Sequence, residues 1–146
     1  MPEDKKESSW IDIPRYNSCF VCGEKNECGL NLSFRACADI VEARWTPREE
    51  HCGYKGVVHG GIVSAVLDEI MGWTGWLEYR KYYLTAELTV RFLSPTRAGE
   101  EYLARARLIK TGRKLYTAEG KISDSEGNIV AKGSGKFVVV EELERT

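Results

Sequence analysis

The spacing of apolar positions changes twice along the chain. Leu30, Leu32 and Phe34 alternate with Asn31, Ser33 and Arg35, the two-residue period of a half-buried strand. Ile40–Trp45 reads as a second strand, entered through a tight turn at Asp39 and ended by Thr46-Pro47, because proline donates no ladder hydrogen bond. Residues 48–60, with Gly53, Gly56 and Gly60, predict a loop. From residue 61 to about 78 the period becomes helical. Ile62, Val63, Ala65, Val66, Leu67, Ile70, Met71, Trp73, Trp76 and Leu77 cover nearly every face. A helix apolar all round belongs inside a domain, and this one would be roughly 27 Å long. Strand patterns follow over 84–93, stopped by Pro95, then 101–110, Leu115–Ser123 and Ile129–Val140, with turns at Gly112 and 124–128. Two strands, one buried helix and four strands, joined by short connections, predict an α+β fold. In it, a curved antiparallel sheet of five to six strands wraps around one long central helix.

Bulk properties narrow the partners. The chain has 146 residues, enough for one domain with a core that needs no disulfide staples. Residues 1–15 read as a flexible N-terminal arm, with Trp10, Ile11 and Ile13 able to dock, and 16–146 as a single domain. A net charge of -1 supplies no field to recruit nucleic acid or an anionic membrane. The apolar helix is interrupted by Asp68 and Glu69, which argues against a membrane span. The first seven residues carry both signs of charge and lack an apolar signal region, so the expected location is cytoplasmic. Five cysteines without an export signal argue against a disulfide framework.

The chemistry concentrates in residues 56–69, Gly-Val-Val-His-Gly-Gly-Ile-Val-Ser-Ala-Val-Leu-Asp-Glu. Gly60 and Gly61 open the helix. First-turn amides lack intrahelical acceptors, the macrodipole adds partial positive charge, and glycine lets a ligand approach the backbone. That makes an oxyanion or phosphate site. Two turns on, Asp68 stands in an otherwise apolar helix. Burying an unpaired carboxylate costs several kcal/mol, so its presence needs a reason.

This segment resembles the His-Gly-Gly motif and central helix of the hotdog-fold thioesterases, in the branch similar to the phenylacetate-degradation thioesterase. There an acidic residue lies nine positions after the motif histidine, as Asp68 does after His59. The likeness continues through residues 85–95 and Gly99-Glu100, through Gly112-Arg113, and through 127–131. The resemblance implies hydrolysis of an acyl-coenzyme A. Asp68 would be general base or nucleophile, the Gly60 amide would bind the thioester oxygen, and His59 would shape the turn presenting it. Thr85 matches a hydroxyl that orients water in some relatives. Gly61, Arg113, Lys114 and Trp73 are the expected substrate contacts, Arg113 and Lys114 toward coenzyme A phosphates. No cofactor is implied beyond the coenzyme A of the substrate. In such enzymes the oxyanion donor and the carboxylate come from different subunits, so a homodimer or dimer of dimers is implied.

The chain departs from the pattern at Gly53, where some relatives carry Asn; His51 is a possible substitute. Glu69 rivals Asp68, but adjacent helical residues point about 100° apart, and the register favours Asp68. Alternatives stay open beside hydrolysis: an acyl-CoA-binding module without turnover, enoyl-thioester hydration, or a scaffold. The expected metal is none. A competing zinc reading rests on Cys19-Phe20-Val21-Cys22-Gly23 and Cys28, with Cys37, His51 or Cys52 as a fourth ligand. The same Cys-Phe-x-Cys-Gly segment also resembles a lead-in found in some hotdog thioesterases.

Overall fold

The structure, a computed structural model, describes residues 10–141. In chain order the elements begin with β1 (Ile11–Asp12), β2 (Arg35–Cys37) and β3 (Ile40–Trp45). A 3-10 turn (Glu49–His51) and a short ribbon of β4 (Cys52–Tyr54) and β5 (Val57–Val58) come next. Helix α1 (Gly60–Gly72), a 3-10 turn (Trp73–Gly75) and α2 (Trp76–Tyr79) lead into β6 (Tyr82–Phe92), β7 (Tyr102–Thr111), β8 (Leu115–Ser123) and β9 (Ile129–Val140). One antiparallel sheet of seven strands runs β1-β2-β3-β7-β8-β9-β6. It wraps α1, the hotdog arrangement that the resemblance implies.

The sheet thus has seven strands rather than five or six. The addition is β1, in which Ile11 pairs with Ala36 and Asp12 with Arg35. Ile13, just beyond, is buried, and its N–H donates to Phe34 O at 2.9 Å. Of the expected arm over 1–15, residues 1–9 lie outside the described residues. The alternation over 30–35 is observed as burial: Leu30, Leu32 and Phe34 face inward. Only 35–37 form a ladder strand, because Leu30 and Leu32 bond instead to the carbonyls of Phe20 and Val21 in an irregular loop.

Helix α1 is seated by its own apolar faces. Val66, Leu67, Ile70 and Met71 are wholly buried against an inner sheet face that includes Ala104, Ala106, Ala118, Ile122, Ala131 and Phe137. Each such side chain contributes about 1.5–3 kcal/mol of transfer free energy. Small residues let the helix approach: a Cβ at Gly120 would come within 2.9 Å of Met71 Cγ. The helical run continues to Tyr79 but tightens over Trp73–Gly75, where the Thr74 hydroxyl donates to Met71 O at 2.6 Å. It ends at Arg80, whose φ of 52° is left-handed. No described helix is long and apolar enough to cross a membrane.

Candidate active site

The N-terminus of α1 is capped by a side chain that leaves one amide over. His59 has non-helical ψ, and its Nδ1 accepts from Gly61 N–H at 2.8 Å. Its carbonyl accepts from Ile62 and Val63. Nδ1 is therefore the unprotonated nitrogen, and Nε2 carries the proton of the neutral ring. His59 is itself held by its N–H donating to His51 O at 2.9 Å. Among the described residues the Gly60 amide has no acceptor, and Gly60 is exposed. This free N–H stands at the positive helix end, where the glycine pair leads one to expect an oxyanion donor. Gly61 offers less than expected, since its amide is already taken by His59.

Asp68 lies two turns further along. It is half-buried and accepts a hydrogen bond from the Thr85 hydroxyl at 2.6 Å. Thr85 is aimed by a β-bulge: it pairs with Phe137 and Glu87 with Lys136, leaving Ala86 as the extra residue. Burial raises the Asp68 pKa above the ordinary carboxylate value, and the Thr85 bond only partly counters it. A carboxylate so placed is a stronger base than an exposed one. Glu69 turns away, as helix geometry requires, and its carboxylate lies 3.4 Å from Cys19 Sγ. Burial, then the Cys19 charge, pushes Glu69 up to about 7.

Within one chain these parts do not meet. Asp68 lies eight positions after Gly60, about 12 Å of helix rise, too far for both to act on one carbonyl. A concavity of about 710 Å³ on the outer face of the sheet, lined by Arg105, Lys121 and Lys132 among others, contains neither group.

The remaining expected site residues are dispersed. Trp73 is 2% exposed and packs edge-on against Trp76, Tyr82 and Tyr83. It is core, not a substrate contact, because an indole at this position fills the space between α1 and β6. Arg113 and Lys114 are exposed at the β7–β8 turn, where the Tyr79 hydroxyl donates to Gly112 O. That end of the sheet is opposite the Gly60 end of the helix. His51 does not substitute for the absent Asn. Its ring is buried, Nε2 lies 2.9 Å from Cys28 O, and the Phe20 ring meets it in a T-shaped contact. Gly53 instead lies against the His59 ring, where a Cβ would come within 3.3 Å of Cδ2.

The cysteines also rearrange. Cys28 is exposed and does not join Cys19 and Cys22. The third donor there is Glu69, all three ligand atoms lying within 4.8 Å of one another. A hydrogen bond from Cys22 brings the Cys19 thiol down to about 5, against its burial, and the same bond moves Cys22 upward. Sequence reasoning weighed Glu69 only as a rival to Asp68. The available signal was a second acidic residue in a buried helix, facing 100° from the first.

The thioesterase superfamily profile matches residues 55–131, the segment that holds His59, Gly60, Asp68 and Thr85. An uncharacterised protein of Schizosaccharomyces pombe is 30% identical over 97% of this chain and 79% of its own length. Acyl-coenzyme A thioesterase 13 of Homo sapiens is 25% identical over 58% of this chain, which spans 62% of that protein. The phenylacetic acid degradation-related protein of Ralstonia eutropha JMP134 superposes with a TM-score of 0.68 at 28% identity, over 75% of this chain and 86% of that one. A hypothetical thioesterase protein of Streptococcus pneumoniae TIGR4, solved with coenzyme A, shares the fold at a TM-score of 0.66 and 18% identity, over 73% and 85% of the two chains.

Proposed function

Because the chain belongs to the thioesterase superfamily, we propose that it hydrolyses an acyl-coenzyme A to the free acid and coenzyme A at a site shared by two copies. Asp68 of one copy takes a proton from water as the oxygen attacks the thioester carbonyl. The carbonyl oxygen becomes an oxyanion and is held by the Gly60 amide of the other copy. The C–S bond then breaks, and coenzyme A leaves as its thiolate, which needs no strong general acid. Thr85 holds the Asp68 carboxylate in place, and His59 fixes the turn that points the Gly60 N–H outward. The carrying observation is the pair on one helix: a free amide at Gly60 and a base-strengthened carboxylate at Asp68.

The open sheet edge at β6 supports the reading. β6 is one edge of the sheet and, among the described residues, pairs only with β9. An 11-residue strand with one unpaired side and exposed Leu84 and Phe92 is a template for another copy. Coenzyme A suits the chain by analogy with the Streptococcus pneumoniae protein solved with it.

Complementation tests the shared site, with thiol release measured over a panel of short, long and aromatic acyl-CoAs. Asp68→Asn removes the base. Gly60→Pro removes the amide while keeping a residue favoured at the first helical position, and a Cβ there meets Phe92 at an ordinary 3.5 Å. Each variant alone should lose at least about 100-fold in turnover. Co-expressed, they form mixed dimers with one intact site, and about a quarter of the wild-type rate should return. Recovery absent in verified mixed dimers would overturn the shared site. Binding of acyl-CoAs without turnover by the unaltered protein would favour a non-catalytic binding module instead.

A further inference from the structure

We propose that Cys19, Cys22 and Glu69 bind one divalent metal ion of the zinc class, fastening residues 16–29 to the side of α1 that faces away from Thr85. The proposal is independent of the thioesterase chemistry. It rests on three donors brought together from two segments 50 residues apart in sequence.

The spacing suits a tetrahedral ion. Zinc–sulfur bonds of about 2.3 Å and zinc–oxygen bonds of about 2.1 Å give a sulfur–oxygen edge of about 3.6 Å. The two Glu69 oxygens lie 3.4 and 3.8 Å from Cys19 Sγ. Small adjustments of side-chain torsions would bring all three donors onto one centre.

The cysteine turn is built as a holder. Cys22 N–H donates to Cys19 Sγ at 3.3 Å, and Gly23 N–H donates to Cys19 O at 2.9 Å. Backbone N–H groups aimed at a sulfur favour its thiolate, the form that ligates metal. Only glycine closes the turn: a Cβ at position 23 would sit 2.5 Å from Cys19 O. Glu69 is presented from a rigid element, α1, whose neighbours Ile70 and Met71 are wholly buried. Among the described residues no lysine, arginine or histidine forms an ion pair with Glu69. Three groups able to carry negative charge therefore converge without a cationic side chain. A divalent ion supplies that charge, and binding would release the thiol protons. Three protein donors leave the fourth tetrahedral position to water.

The test uses the full chain, reduced and stripped of metal, then titrated with zinc in competition with a chromogenic chelator. One equivalent should bind, and zinc should raise the melting temperature in a concentration-dependent way. Cys19→Ser and Cys22→Ser should abolish this binding, and Glu69→Gln should weaken it at least about tenfold. Cys28→Ser and Cys52→Ser should leave it unchanged. Should the Cys19 or Cys22 variants fail to fold, cobalt substitution of the unaltered protein reads the ligands directly. Tetrahedral ligand-field bands with thiolate charge transfer support the site; an octahedral spectrum overturns it. Absence of stoichiometric zinc binding by the unaltered protein, or unchanged affinity in Glu69→Gln, would also overturn the assignment.

Discussion

Glu42 and Asp68 are both carboxylates drawn out of water, and the fold treats them in opposite ways. Glu42 lies on β3 with Arg35 directly across on β2 and Arg105 directly across on β7. Arg35 Nε donates to one oxygen at 3.0 Å, and Arg105 Nη2 to the other at 2.8 Å. Burial alone would raise the Glu42 pKa, but the two guanidiniums outweigh it and hold the carboxyl below its usual range. Among the described residues Asp68 has a single hydroxyl, from Thr85, and no cation, so burial wins and its pKa rises. The sheet supplies counter-charges because register fixes who stands opposite whom. The helix supplies none, so Asp68 burdens the fold at neutral pH.

The largest expected effect on stability is at Glu42. Glu42→Gln leaves two guanidiniums facing each other without an anion. They remain half in water, so the loss should fall below that of a fully buried broken pair, at about 1–3 kcal/mol. Chemical denaturation should show it with an unchanged slope, and turnover should not fall. A variant as stable as the parent would mean that the two arginines add nothing net.

Acidification should remove the same difference. A carboxyl with a depressed folded pKa contributes fully above its unfolded value, about 4.3, and loses the contribution as pH falls through the folded value. The gap between the parent and Glu42→Gln should be flat near neutrality and close below about pH 4.5. A gap that widens in acid would reverse the assigned direction. Asp68→Asn should move stability the other way at neutral pH. It removes a disfavoured charge while keeping an acceptor for Thr85, so the melting temperature should rise, by an amount of order 1 kcal/mol in stability, as turnover collapses. Destabilisation of that variant would recast Asp68 as a structural group.

Much of this contrast was legible in the chain, and some was not. A run of apolar residues with no polar face announces α1, and a lone acidic register within it announces Asp68. Alternating burial marks β7, β8 and β9, whereas β6, with no buried residue, is marked by its β-branched and aromatic residues. What escaped depends on contacts distant in sequence. Glu69 finds Cys19 across 50 residues, and Glu42 finds Arg105 across 63. Trp73 and His51 carry polar atoms that invite a functional reading, yet the space between elements claims both for packing. Ile11 could be identified as able to dock, but not as a strand, because two residues carry no period.

The smallest effect extends the Glu42 arrangement along its own row. Cross-strand register places Arg35, Glu42, Arg105, Lys121, Lys132 and Arg91 in one line across six strands. Glu42 neutralises the first part. Beyond Arg105 the line continues as Lys121, Lys132 and Arg91, each directly opposite the next and all exposed, and like charges so placed are unfavourable. Lys132→Glu would set a carboxylate between Lys121 and Arg91 as Glu42 sits between its two arginines. Solvent screening keeps the gain small, about 0.5 kcal/mol at low salt. It should shrink further as salt is added, because these charges are open to water. A rise in the urea midpoint that fades with ionic strength would show that register alone confers the pairing. No rise at low salt would mean that burial, and not cross-strand placement, is what makes Glu42 effective.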